Sequence, residues 1–105
     1  MDSQPFILWV RARVKPEFSS QVKDAAARTL ALTLKEPGCL QFIQTMEADN
    51  PNHLCFFEYF ASPQAHAEHL AMPYTQAFFE LLKDKLEGEP VMQQLHLLGQ
   101  TPRQV

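Results

Sequence analysis

Hydrophobic and polar positions change period several times along the chain, and each change predicts an element. In Phe6–Lys15 (FILWVRARVK) branched and aromatic residues alternate at period two. Arg11 and Arg13 fall on one face and Val10, Ala12 and Val14 on the other, the pattern of a strand. Lys15-Pro16-Glu17 breaks that strand and opens a helix, because proline suits a first helical turn. From Phe18 to Lys35 the apolar residues Phe18, Val22, Ala25, Ala26, Leu30 and Leu34 recur at three and four, so a helix with one buried stripe is expected. Glu36-Pro37-Gly38 ends it, since proline cannot continue a helix and glycine permits the turn. Cys39–Glu47 and His53–Ala61 read as strands joined by the turn Asp49-Asn50-Pro51-Asn52. Ser62-Pro63 has the form of an N-cap followed by proline at the first position, which starts a second helix reaching about Ala71. Met72-Pro73 interrupts it, and Tyr74–Leu86 resumes with Phe78, Phe79, Leu81, Leu82 and Leu86. Gly88-Glu89-Pro90 stops this segment, Val91–Leu98 is a last strand, and residues 99–105 read as a tail.

The order β-α-β-β-α-β, with its second helix split at Pro73, is that of an α+β, ferredoxin-like fold. A four-stranded antiparallel sheet would carry its helices on one face. No linker or repeat divides the chain, so residues 1–105 form a single domain with a core of about residues 6–98. The sheet faces raise a further expectation. Phe6, Leu8 and Val10 share one face, Ile7 and Trp9 the other; Phe56 and Phe60 oppose Cys55, Phe57 and Tyr59. A sheet solvated on one side alternates more cleanly than this. The second apolar face calls for a cover, most simply a second copy of the chain, hence a homodimer packed through its sheet faces.

Composition narrows the partners. The 105 residues are 46% hydrophobic and 20% charged, enough for a core without disulfides or a structural metal. A net charge of -3 with no basic run offers nothing to collect phosphates, so no nucleic-acid partner is expected. MDSQP lacks the basic start and apolar run of a signal peptide, and no stretch reaches membrane-spanning length; a cytoplasmic protein with no membrane partner is expected. Cys39 and Cys55 are the only cysteines. In a hairpin about Asp49–Asn52, Cys55 lies opposite roughly Thr45, leaving Cys39 about 20 Å away along its strand. Both are read as free thiols.

The pieces now in hand resemble the antibiotic biosynthesis monooxygenase (ABM) family of dimeric α+β barrels. They are Val14-Lys15-Pro16 before the first helix, Lys35-Glu36-Pro37-Gly38-Cys39 leading into the second strand, Glu58-Tyr59-Phe60, His69, and Met72-Pro73-Tyr74. The resemblance spans about Phe6 to Leu98 and implies a cleft between the sheet and the split second helix. It also implies oxidation of a small hydroxylated aromatic or quinol by O2 without cofactor, metal or flavin. The substrate anion would itself supply electrons to oxygen, while the protein removes a proton, holds the anion and excludes water. Two departures matter. Phe60 stands where many members carry tryptophan, and Val10 where the haem-degrading branch has asparagine, so haem degradation is not implied. The alternative is a non-oxidative isomerase or binding protein of the same fold, acting on a small metabolite. An apolar cavity with His69 in its wall fits the oxygenase, a polar or anion-lined one the alternative, and a filled one a dimeric scaffold.

Within that frame His69 is the candidate base, an imidazole able to accept a proton near neutral pH. Glu58 shares a strand face with Phe56 and Phe60. It is either a carboxyl whose pKa burial raises or half of a salt bridge to a first-strand arginine. Phe60, Tyr74, Val10, Phe42 and Phe78 are expected to line the substrate cavity. His66-Ala67-Glu68-His69 does not read as a metal site. Its two histidines lie about 60° apart around the helix, but Glu68 points away from them and too few further ligands are at hand. His66 is expected to be exposed or at a helix edge, Arg11 and Arg13 are expected to pair with acids of the sheet or across the dimer, and His96 has no argued role.

Overall fold

The computed structural model describes residues 4–100, so the N-terminal Met-Asp-Ser and the last five residues of the expected tail lie outside the described residues. Strand β1 (Phe6–Arg13) leads through a 3-10 turn (Pro16–Phe18) into helix α1 (Ser19–Thr33). Strands β2 (Cys39–Glu47) and β3 (Asn50–Phe60) follow, then helices α2 (Pro63–Ala71) and α3 (Pro73–Leu82), then β4 (Val91–Leu95). The antiparallel sheet has the order β2-β3-β1-β4, which is the ferredoxin-like arrangement expected from the element order.

Register fixes the faces. Phe6 pairs with Phe60, Leu8 with Glu58, Val10 with Phe56 and Ala12 with Leu54, and this set lies under the helices together with Phe42 and Met92. Ile7, Trp9 and Arg11 pair with Tyr59, Phe57 and Cys55 on the opposite face. The core gathers Val14, Val22 and Leu54, with Phe18, Phe56, Phe78, Leu81, Leu82 and Leu86 packed against them. Cys39 and Cys55 are free, and Cys55 faces Thr45 as the hairpin reading required.

Boundaries differ from the expectation where long-range pairing overrides local pattern. The hairpin turns at Ala48–Asp49, not Asp49–Asn52, and Glu47 faces Asn50 across a register shift. Asn50 Oδ1 accepts from the Asn52 amide (3.1 Å), which absorbs Pro51 into the strand end. Helix α3 stops at Leu82 instead of Leu86 because Asp84 turns left-handed (φ 65°), a conformation aspartate tolerates better than most residues. Leu86 instead bridges Val14 and so stays in the core. Strand β4 ends at Leu95, short of Leu98, where its partner β1 runs out beyond Ile7. Among the described residues no helix is long and apolar enough to cross a membrane.

Candidate active site

The site is built on α2, a helix of nine residues whose placement is set at its start. Ser62 Oγ accepts from the Ala65 amide (3.1 Å), capping the helix, and Pro63 occupies its first turn. Gly38 lies against the same turn so closely that a Cβ there would meet Ala65 Cβ at 2.5 Å. The helix thus sits almost on the backbone entering β2. Pro73 then forces the break after Met72, whose extended conformation (ψ 138°) re-aims α3.

This seating turns both histidines of α2 toward the sheet. The His66 ring stacks on Phe6 (centroids 4.2 Å, 17°), and Phe60 lies 5.3 Å from His66 and 5.1 Å from His69. His66 is therefore half-buried and not at an exposed edge. Three residues apart is close to one helical turn, and the aromatic floor of Phe6 and Phe60 is wide enough to take both rings. Burial, and next the neighbouring His69, push the His66 pKa below its ordinary value. Glu68 faces solvent and takes a hydrogen bond from Gln64 Nε2 (3.3 Å).

His69 is buried, and its Nδ1 lies 3.0 Å from Glu36 Oε2. The same carboxylate oxygen accepts from the Tyr74 hydroxyl. A carboxylate can only accept, so Nδ1 carries a proton there and Nε2 is the nitrogen left uncommitted by this contact. Burial, and with it the hydrogen bond and charge of Glu36, push the Tyr74 phenol up to about 12, so it remains a donor. Tyr74, Glu36 and His69 form one chain joining the break before α3, the end of α1 and the end of α2. Glu36 was present in the sequence as the first letter of E-P-G-C. Only the fold shows that its side chain turns back onto His69, 33 positions away.

Glu58 lies two residues before the end of β3, opposite Leu8 and Phe42 and 7% exposed. Desolvation raises its pKa from 4.5 to about 7. The salt bridge to a first-strand arginine does not form. Period-two alternation sends Arg11 to the other face, where it pairs with Glu47 (2.9 Å), itself 3.1 Å from His53 Nδ1.

Between the sheet and helices α1 to α3 lies a cavity of about 860 Å³. His69, Glu58 and His66 line it, as do Val10, Phe42 and Phe78 of the expected substrate contacts. Phe60 and Tyr74 do not. Phe60 is fully buried beneath the imidazoles, and the Tyr74 hydroxyl is committed to Glu36, so both support the wall from behind. His96 lies past the end of β4 and is exposed. Among the described residues no group of three or more His, Cys, Asp or Glu side chains is placed to hold a metal ion.

A family model described as antibiotic biosynthesis monooxygenase matches residues 5–81. Solved structures repeat the fold at low identity. Rv0793 from Mycobacterium tuberculosis superposes with a TM-score of 0.86 at 21% identity, over 93% of this chain and 99% of its own. A conserved protein from Methanosarcina mazei Go1 gives 0.83 at 22%, over 90% and 93%. A structure named antibiotic biosynthesis monooxygenase gives 0.85 at 18%, over 90% and 99%. No curated protein matches the chain.

Proposed function

The chain belongs to the antibiotic biosynthesis monooxygenase family, and from that premise we propose that it is a cofactor-independent monooxygenase oxidising a small hydroxylated aromatic or quinol with O2. The observation that carries this reading is His69, held through Nδ1 by Glu36 in the wall of a mostly apolar cavity. His69 Nε2 accepts a phenolic or ring-activated C–H proton, and the imidazolium that forms is stabilised by Glu36. The substrate anion then passes its electrons to O2. One oxygen atom bonds to the ring carbon and the other leaves as water. An anthrone methylene becomes a carbonyl, or a hydroquinone a hydroxyquinone, and all four electrons come from the substrate. Glu58, carried to about 7 by burial, supplies a carboxylic acid proton to the oxygen that departs. Val10, Phe42 and Phe78 face the ring and keep water away.

A polar or phosphorylated metabolite fits this cavity poorly, because its two lysines, Lys15 and Lys83, line it with the segment after α3, away from His69. The working unit in this proposal is a homodimer joined through the Trp9 face of the sheet. Supporting it, Ile43 and Val91 lie on that face, 42% and 51% exposed in the single chain.

The test is oxygen uptake against a panel of quinols and anthrones, with wild type and His69→Ala side by side. Uptake by wild type that falls at least a hundredfold in the variant supports the mechanism. No uptake above buffer on any substrate sinks the oxygenase reading, and equal rates remove His69 from it.

A further inference from the structure

The cavity is much longer than the reaction it has been given requires. Leu8, Val10, Ala12 and Val14 all line it from successive positions of one extended segment. Six residues of extended chain span about 20 Å. The acid–base groups stand at one end only, since Glu58 pairs with Leu8 and the imidazoles sit over Phe6 and Phe60. From there the floor runs through Phe56 opposite Val10 and Leu54 opposite Ala12, with Leu82 and Leu86 as further wall. It ends among Lys15, Lys83, Asp84 and Glu89, where the segment after α3 meets the end of β1.

Three polar side chains of the lining already spend their donors on the backbone, while Thr75 Oγ1, also in the lining, is buried without a partner. Thr29 Oγ1 donates to Ala25 O and Thr33 Oγ1 to Thr29 O, both at 2.8 Å. Gln44 Nε2 donates to Ala26 O at 2.9 Å. A fused polycycle bearing oxygens on every ring would meet fewer free donors than it has oxygens, and each buried oxygen left unpaired weakens binding. Hydrocarbon carries no such oxygens.

We propose that the substrate is an aromatic or quinol head carrying a linear apolar tail of the isoprenoid or alkyl kind, with the head at His69 and Glu58 and the tail along Ala12 and Leu54 toward the Lys15–Lys83 rim. The identity of the head rests on the function proposed above; the tail channel rests on the shape and lining of the cavity alone.

Equilibrium dialysis with three probes separates the two. They are 2-methyl-1,4-naphthoquinone, its 3-geranyl derivative, and farnesol, which has a tail and no ring. Wild type is expected to bind the geranyl compound at least tenfold more tightly than the bare quinone. Ala12→Leu fills the channel midway and should cut that advantage below threefold while the bare quinone binds as before. Ala12→Val, a smaller intrusion, should give an intermediate ratio and serves if the leucine variant does not fold. Farnesol bound in an Ala12-dependent way, with neither quinone bound, keeps the channel and overturns the head. Equal affinity for the two quinones, an advantage unmoved by both variants, or no binding of either tailed probe overturns the tail.

Discussion

Glu36 and His69, 33 residues apart, meet with 3.0 Å between Oε2 and Nδ1 where the end of α1 passes the end of α2. Both side chains are less than a tenth exposed, so the contact is shielded from the screening that weakens surface pairs. It fixes which nitrogen of the imidazole is free. Glu36→Gln keeps the shape but can present its amide NH2 to Nδ1, which favours the other tautomer. The turnover rate is expected to fall about 10²-fold, within the range for losing oriented acid–base catalysis. KM should change little, because Glu36 does not line the cavity. Tyr74→Phe removes one donor to the same oxygen and should cost about tenfold or less. Steady-state oxygen uptake on one substrate measures both.

Glu58 makes a prediction in stability. Its pKa is about 7 in the fold against 4.5 for an ordinary glutamate, through desolvation. Below about 4.5 both folded and unfolded chains carry the proton. Between 4.5 and 7 the unfolded chain has lost it and the folded chain has not, so stability falls as pH rises through that window. The full loss is about 3 kcal/mol above pH 7. Glu58→Gln abolishes this contribution. The melting temperatures of variant and wild type should therefore draw apart from pH 5 to pH 8, the variant becoming the more stable. Parallel curves would mean that Glu58 ionises normally.

The sequence carried the fold further than the site, for a physical reason. Period-two and period-3.6 patterns are local, as are the Ser62-Pro63 cap and the Pro73 break, so the elements and their order were legible. Glu58 stayed open between a buried acid and an arginine partner until the register placed Arg11 on the other face with Glu47. The Tyr74–Glu36–His69 chain depends on three segment ends converging in space, and no spacing encodes that. His66 was misplaced for a similar reason. Its exposure depends on Phe6, 60 positions earlier, supplying a flat surface at 4.2 Å. The ends of α3 and β4 were overrun because Asp84 and the short partner strand, not side-chain pattern, decide where they stop.

Gly38 tests how closely the site depends on helix seating. An added methyl would fall 2.5 Å from Ala65 Cβ, on the first turn of α2. That neighbour is a short side chain on a capped helix and cannot rotate aside, so the helix must move. Gly38→Ala should destabilise the fold by about 1–3 kcal/mol, the usual cost of overpacking. It should also slow turnover, since α2 carries His69. In the double variant Gly38→Ala/Ala65→Gly the clash is gone, and most of the lost activity should return, less the cost of a glycine in a helix. Thermal melts and oxygen uptake on all three proteins check this; no recovery would show that the contact between Gly38 and Ala65 does not set the seating of α2.

The outer sheet face gives the last prediction. Trp9 lies between Phe57 and Gln93 in register, with Ile43 beyond Phe57. If two copies pack there, the chain should sediment at twice its 12.0 kDa mass. Ile43→Glu would then bury a carboxylate without a partner, at several kcal/mol per interface, and should yield monomers at micromolar concentration. The single tryptophan reports the same event, because its emission should shift to the red as the face is hydrated. Glu80 offers a control away from this face. It lies on α3, paired with Lys83 in solvent at 3.2 Å, so Glu80→Gln should leave the sedimentation coefficient unchanged while Ile43→Glu halves the mass. A wild type that sediments as a monomer would place this face in water and sink the dimer.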